Sequence, residues 1–308
     1  MKRGTVVGIV VGVVVAVGVG LVAWWLLGRP EGPEATARAY LDALESGDFA
    51  AIESLRAEPL NDPLVRDAFA GASERVSNAR IVEIREESAD ISGVIAEVTL
   101  GGETHDLGFT VERTAGRWRL GNGDLGLLTA AAVLGEAPVG DTVTVGGALF
   151  PARSDLLLLP AAYEVAAAPR SILAGQANAV VLPGEPADVV VETRLSPDAV
   201  DQAQEQLDAY LDACAAPASE IPANCGIRVP WAADLTSLDS VSFRIEKKPA
   251  LALSADASGF DATGGTIVAT ATGTSRSGGT GSFTYLADDW SVRGSVRFEG
   301  EQMVLSVR

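Results

Sequence analysis

The sequence contains one residue that could supply an imidazole base, His105. In the stretch GGETHDLGFTVE it shares strand parity with Leu107, Phe109 and Val111, which we predict to form the inward face. The same alternation turns the neighbouring Asp106 to the opposite face, so the dipeptide does not assemble a His–Asp pair. We therefore expect His105 to contact a ligand at the mouth of a pocket or to lie solvated in a hairpin. We predict no catalytic residue, cofactor site or metal site.

Other familiar catalytic patterns do not occur. Lysine occurs only at positions 2, 247 and 248, so the chain has no G-K-[ST] phosphate loop. A serine–lysine pair would need serine three residues before a lysine, where Arg244 and Ile245 stand. The glycine-rich SGGTGSF at 277–283 lies between predicted strands and is typical of a hairpin turn. Trp231 and Trp290 could present aromatic rings to a ligand, but we predict that both are core residues.

Two cysteines, Cys214 and Cys225, stand eleven positions apart. Outside the cytoplasm such an isolated pair predicts a disulfide, which would contribute about 2–3 kcal/mol in the chain-entropy model. Zinc is the alternative, but it needs three or four Cys, His or carboxylate ligands, and His105 is far away in sequence. Cys214 also continues the apolar stripe of its predicted helix, as a structural cysteine would.

An uncharged apolar segment occupies residues 5–27. At about 1.5 Å per residue a helix of this length crosses a hydrocarbon core of roughly 30 Å. A secretory signal would have a shorter apolar region and a small-residue cleavage site, whereas this run ends in AWWLLGRP. A buried soluble helix is the third alternative, but such helices are rarely free of charge over this length. We predict an uncleaved transmembrane helix that lies in the lipid bilayer.

The residues that flank this segment predict its orientation. Lys2 and Arg3 precede it, while Arg29 is followed by Glu31 and Glu34. The positive-inside tendency places residues 1–4 in the cytoplasm and the bulk of the chain outside, in a single-pass cell-membrane protein. The reversed topology would put both cysteines in a reducing compartment.

Small residues recur at every fourth position of the segment, a spacing that forms a groove for a second helix. This pattern predicts a homodimer through the membrane, although glycine and alanine are also common in membrane helices by composition. The series comprises Gly4, Gly8, Gly12, Ala16 and Gly20.

Acidic residues outnumber basic ones by 41 to 23, and the first 30 residues hold three basic and no acidic side chains. The part after them therefore carries 20 minus 41, or −21. This charge argues against nucleic acid or an anionic membrane surface as partner. It permits cations, cationic peptides or neutral ligands, and an envelope protein or cell-wall ligand as partner.

The periodicity of the remaining chain predicts an α+β multidomain fold. After a linker at 28–34, the spacing predicts a helix that Gly47 ends and a second helix that Asp48 caps. Strands with Val94, Ala96, Val98 and Leu100 on one face follow, and together these elements predict an α+β cone-type domain at 35–121. A glycine-bearing linker at 122–131 precedes short strands at 132–195, which predict a small β-sandwich. A helix and an antiparallel sheet follow at 196–308, in a disulfide-clamped α+β domain.

Within 35–121, the segments AYLDALESGDFAAI and GRWRL resemble segments of the nuclear-transport-factor-two-like (cystatin-like cone) superfamily. That superfamily includes isomerases, dehydratases and binding modules without catalysis, so the resemblance implies a fold and leaves the function open. The layout is also similar to that of teicoplanin-resistance-associated envelope proteins of Gram-positive bacteria. The residues that match the superfamily are Tyr40, Leu41, Ala43, Leu44, Gly47, Asp48, Ala51, Gly116 and Trp118.

These patterns together predict a membrane-anchored extracytoplasmic protein of the bacterial cell envelope that binds, senses or scaffolds without catalysis. The alternative is a small apolar-ligand pocket or an isomerase- or dehydratase-like activity in the cone-type domain. A structural partner subunit that acts through its membrane helix is the third hypothesis. A buried acidic residue with a raised pKa at the base of the cone would favour the second hypothesis.

Overall fold

The fold class differs from the prediction. A computed structural model describes residues 32–308 except positions 61 and 122. This part of the chain is mostly β, with 55% of residues in strands and 17% in four helices. The α+β assignment is therefore wrong. Helical periodicity is conspicuous at 35–55 and 199–214, but those stretches are short beside the strands that follow each of them.

The predicted transmembrane helix at 5–27 lies outside the described residues, as do Gly4, Gly8, Gly12, Ala16 and Gly20. Among the described residues, no helix is long and apolar enough to cross a membrane. The glycine series and the dimer inferred from it stay predictions.

The helices begin and end where local chemistry places their ends. Gly47, with a φ of 71°, ends the first helix, and the Asp48 side chain caps the second by accepting a hydrogen bond from the Ala51 N–H at 3.0 Å. Both were predicted from the sequence. The helices are α1 (Pro33–Ser46), α2 (Phe49–Leu55), α3 (Pro63–Ala70) and α4 (Ala199–Cys214).

A four-stranded antiparallel meander follows the first three helices in the chain, and α1 packs against it. Its inward side chains alternate along the strands, so that Val94, Ala96 and Val98 are buried, as predicted. The Tyr40 ring of α1 lies 5.0 Å from the Phe109 ring, centroid to centroid. The strands are β2 (Ser77–Ser88), β3 (Ile91–Leu100), β4 (Glu103–Thr114) and β5 (Arg117–Leu120), preceded by the short β1 (Glu74–Arg75).

Two facing sheets form the middle of the chain. In the first sheet, β11 pairs with β1, β8 and β13, and β9 pairs with β8. In the second sheet, β6 lies between β10 and β14; β7 pairs with β6, and β12 pairs with β14. The strands are β6 (Gly126–Leu134), β7 (Ala137–Pro138), β8 (Thr142–Val145), β9 (Ala148–Pro151), β10 (Asp155–Leu158), β11 (Ala161–Ala167), β12 (Leu173–Ala174), β13 (Gln176–Val181) and β14 (Ala187–Leu195).

These sheets do not keep to the predicted domain boundaries. The first six residues of β6, 126–131, fall in the stretch that we expected to be linker. The strand β1 comes from the predicted cone-type domain but pairs with β11. The pairing of β6 with β14 is parallel, a long-range register that no local pattern indicates.

The last sheet is antiparallel, in the order β15-β17-β18-β19, with β16 also paired to β17. The helix α4 packs against β16 and β19. Residues 276–279, which include the first three residues of the glycine-rich stretch, form the turn between β17 and β18, as predicted. The strands are β15 (Leu235–Lys247), β16 (Ala250–Leu253), β17 (Gly259–Ser275), β18 (Thr280–Glu299) and β19 (Gln302–Val307).

Candidate functional site

A disulfide joins Cys214, at the end of α4, to Cys225 in the loop 215–234, with their Cα atoms 5.8 Å apart. The predicted disulfide is confirmed. The Trp290 indole N–H, from β18, donates to the Cys225 carbonyl at 2.8 Å, and Trp290 is only 2% exposed. Trp290 is therefore a core residue, as predicted, and it fixes the backbone of the loop against the sheet.

The loop stays in contact with β18 beyond the disulfide. Gly226 has a φ of +65°, and a Cβ atom added there would lie 2.1 Å from the Ser291 carbonyl oxygen. Only glycine fits this approach. Arg228 follows two residues later in the same loop.

A cavity of about 470 Å³ is lined by residues of this loop, of β17 and of β18. Ala262, Trp290 and Val292 contribute to its lining. This volume falls in the range of about 300–1,000 Å³ that is usual for small-molecule sites.

Three arginines from three parts of the chain line the same cavity. Arg228 comes from the loop, Arg293 from β18 and Arg308 from the residue after β19. The Arg308 N–H donates to the Arg293 carbonyl at 2.9 Å, which keeps these two residues adjacent. We call this site the arginine cavity. Each guanidinium presents five N–H donors in a planar fork that matches carboxylate or phosphate oxygens.

The charged groups of the arginine cavity are unpaired. Within the part of the chain that the structure describes, no carboxylate lies within 4.0 Å of the Arg228, Arg293 or Arg308 guanidinium. Two carboxylates, Asp261 and Asp289, also line the cavity, and neither forms an ion pair with a described residue. The arrangement therefore offers free cationic donors and free anionic acceptors around one small volume.

Some exposed arginines on other strands of this chain form ion pairs. Arg80 meets Glu97 at 2.7 Å across β2 and β3, and Arg244 meets Glu246 at 2.7 Å along β15. Such surface pairs contribute little to stability. Other described arginines, such as Arg113 and Arg117, form no ion pair either, so the cavity is distinguished by the three arginines that line it together.

His105 lies in β4, where its Nε2 is 3.1 Å from the Leu100 carbonyl oxygen. It is half-buried, whereas Leu107, Phe109 and Val111 on the same face are buried, so the predicted parity is confirmed. None of the described cavities includes His105. Its predicted ligand contact stays a prediction.

Sequence reasoning missed a buried ion pair between Arg56 and Asp124. The two side chains are only 7% and 0% exposed, and Asp124 lies in the stretch we expected to be linker. Burial raises the pKa of Asp124, and its hydrogen bond and attraction to Arg56 oppose that rise. The Asp124 Oδ1 atom has no hydrogen-bond partner among the described residues. The only sequence feature that could have indicated this pair is that Asp124 stands among glycines and leucines.

Tyr40 completes this cluster. Its hydroxyl donates to the Asp124 backbone carbonyl at 3.2 Å. Burial, and then the nearby Asp124 carboxylate, raise the pKa of Tyr40 well above its ordinary value. The cluster therefore holds a phenol that stays neutral.

Among residues 32–308, apart from 61 and 122, no group of three or more His, Cys, Asp or Glu side chains is placed to hold a metal ion. No family model matches the chain, and no curated protein with which it was compared is significantly similar to it. The resemblance to the nuclear-transport-factor-two-like superfamily therefore rests on the residues quoted above alone.

Proposed function

We propose that this chain is a non-catalytic binding protein that works outside the cytoplasm and holds an anionic ligand in the arginine cavity. The observation that carries the proposal is the convergence of Arg228, Arg293 and Arg308 on one volume without a carboxylate partner. Because none of the three guanidinium groups has a carboxylate partner, an anion that enters the cavity can accept charge-assisted hydrogen bonds from them.

The disulfide supports the extracytoplasmic location. Disulfides persist in oxidising compartments and are rare where cytosolic reductants act. Here the bond also has a role in the site, because it and the Trp290 hydrogen bond position the loop that carries Arg228.

Titration calorimetry of the full-length chain tests the proposal, with inorganic phosphate and N-acetylglycylglycine as anionic probes. A hydrogen bond to a charged group contributes about 1.5–3 kcal/mol, so Arg228→Gln or Arg293→Gln should weaken binding by about 10- to 150-fold. Arg244→Gln removes the same charge from an exposed strand position outside the cavity and should leave the affinity unchanged. Absence of binding by either probe, or an equal loss in the Arg244→Gln control, would overturn the proposal.

A second candidate function has one observation in its favour. Asp124 is a buried acid with a raised pKa and an unpartnered oxygen, the feature expected of a small-ligand or isomerase-like site. Its other oxygen is already bonded to Arg56, which favours a structural role. If the second candidate is correct, an apolar ligand will raise the melting temperature of the full-length chain and Asp124→Asn will abolish that shift.

A further inference from the structure

We propose that the ligand of the arginine cavity is zwitterionic and carries a carboxylate and an ammonium group, as a free amino acid or a short peptide does. This inference rests on the proposed function, because it concerns the same cavity. It adds a role for the two aspartates, which an anion alone would leave without a partner.

The positions of the aspartates carry the argument. Asp261 of β17 is the direct cross-strand neighbour of Arg293 of β18. Side chains at such positions share a face and have Cβ atoms about 4.5–5.5 Å apart, close enough for an ion pair. The two charged groups nevertheless lie more than 4.0 Å apart, and Asp289 is also unpaired among the described residues.

Some comparable neighbours elsewhere in the sheets pair, whereas Glu112 and Arg119, opposite each other in β4 and β5, do not. Arg297 and Glu299, two positions apart on the same strand β18, meet at 3.2 Å. The cross-strand neighbours Arg80 and Glu97 meet at 2.7 Å. What the cavity adds is that unpaired groups of both signs line one volume.

A ligand of one sign would complement only part of this lining. A simple anion would bind the arginines but would be repelled by Asp261 and Asp289. A simple cation would bind the two aspartates but would be repelled by the arginines. A zwitterion satisfies both sets, since its carboxylate accepts from the guanidinium forks while its ammonium group donates to the carboxylates. The cavity volume of about 470 Å³ accommodates a ligand of this kind.

Three related dipeptides separate the two charges in calorimetric titrations of the full-length chain. Glycylglycine carries both charges, N-acetylglycylglycine only the carboxylate, and glycylglycinamide only the ammonium group. We expect glycylglycine to bind at least about tenfold more tightly than either single-charge analogue. Asp261→Asn should remove the advantage over N-acetylglycylglycine without weakening the binding of that analogue. Asp239→Asn, an exposed change in β15, is the matched control and should have no effect.

The outcomes distinguish this inference from the proposed function. If N-acetylglycylglycine binds as tightly as glycylglycine and Arg293→Gln weakens both, the cavity is a simple anion site; the inference is then wrong and the proposed function stands. If none of the three dipeptides binds, or if Arg293→Gln changes no affinity, both are wrong. If glycylglycinamide binds most tightly, the aspartates form a cation site and both are again overturned.

Discussion

The buried pair of Arg56 and Asp124 gives a prediction whose magnitude follows from the structure. Replacing Arg56 by Met keeps much of the apolar stem but removes the guanidinium, which leaves the Asp124 carboxylate without its partner. Because that side chain is 0% exposed, water cannot take the place of the lost contact. Removing one partner of a buried ion pair costs about 3–5 kcal/mol. For a chain of this size the melting temperature should fall by roughly 6–20 °C.

The pH dependence of this loss has a definite sign. Burial already raises the folded-state pKa of Asp124 above the ordinary value of 3.8, and removing Arg56 raises it further. A carboxyl group with a raised pKa binds its proton first in the folded state, so its burial destabilises the fold when it is ionised. The deficit of the variant should therefore be largest at neutral pH and should shrink as the pH falls toward 3.8.

Urea unfolding monitored by far-ultraviolet circular dichroism, at neutral and at acidic pH, measures both effects. The double variant Arg56→Met with Asp124→Leu is the matched control, because it replaces the pair by apolar groups and should recover most of the lost stability. A single variant that unfolds at the wild-type urea concentration would refute the reasoning. So would a deficit that grows as the pH falls.

Three further predictions concern other parts of the last sheet. Replacing Cys214 and Cys225 by Ala should lower the free energy of urea unfolding by about 2–3 kcal/mol. It should also weaken phosphate binding, because the loop that carries Arg228 loses its disulfide bond to α4. Unchanged phosphate binding would show that the disulfide does not position the site. Gly226→Ala should cost about 1–3 kcal/mol and weaken binding, since its Cβ would meet a β18 carbonyl oxygen at 2.1 Å; a wild-type melting curve would contradict this. The Ser254 hydroxyl and neighbouring donors lower the pKa of Asp256 to about 2. Asp256→Asn should therefore reduce the free energy of unfolding at a pH above the ordinary pKa of 3.8, and the difference from the wild type should disappear as the pH falls toward 2. A difference that persists at pH 2 would contradict this prediction.

Local features of the fold could be predicted from the sequence because short-range chemistry determines them. The end of α1 at Gly47 and the Asp48 cap require only backbone conformation and one side-chain hydrogen bond. Strict alternation around Val94 identifies the buried face of β3 without knowledge of its partners. The disulfide could be predicted because no other cysteine exists to compete with Cys214 and Cys225.

Features that depend on long-range pairing could not be predicted. The parallel pairing of β6 with β14 joins residues about sixty positions apart, and nothing in either strand specifies the other. The arginine cavity has the same origin, since Arg228 and Arg308 line one cavity only after the sheet and the disulfide loop have formed. The net charge of 20 minus 41, or −21, after residue 30 predicted cationic or neutral ligands. A summed charge describes the average surface, whereas a site depends on the few groups that line it.

The measurement that tests the central claim most directly identifies which arginines a bound anion covers. The full-length chain is treated with phenylglyoxal, with and without N-acetylglycylglycine, and modification of each arginine is followed by mass spectrometry. We predict that the probe slows modification of Arg228, Arg293 and Arg308, while Arg244 reacts at the same rate in both samples. Unchanged rates at the three cavity arginines, or equal protection of Arg244, would contradict an anion site in the arginine cavity.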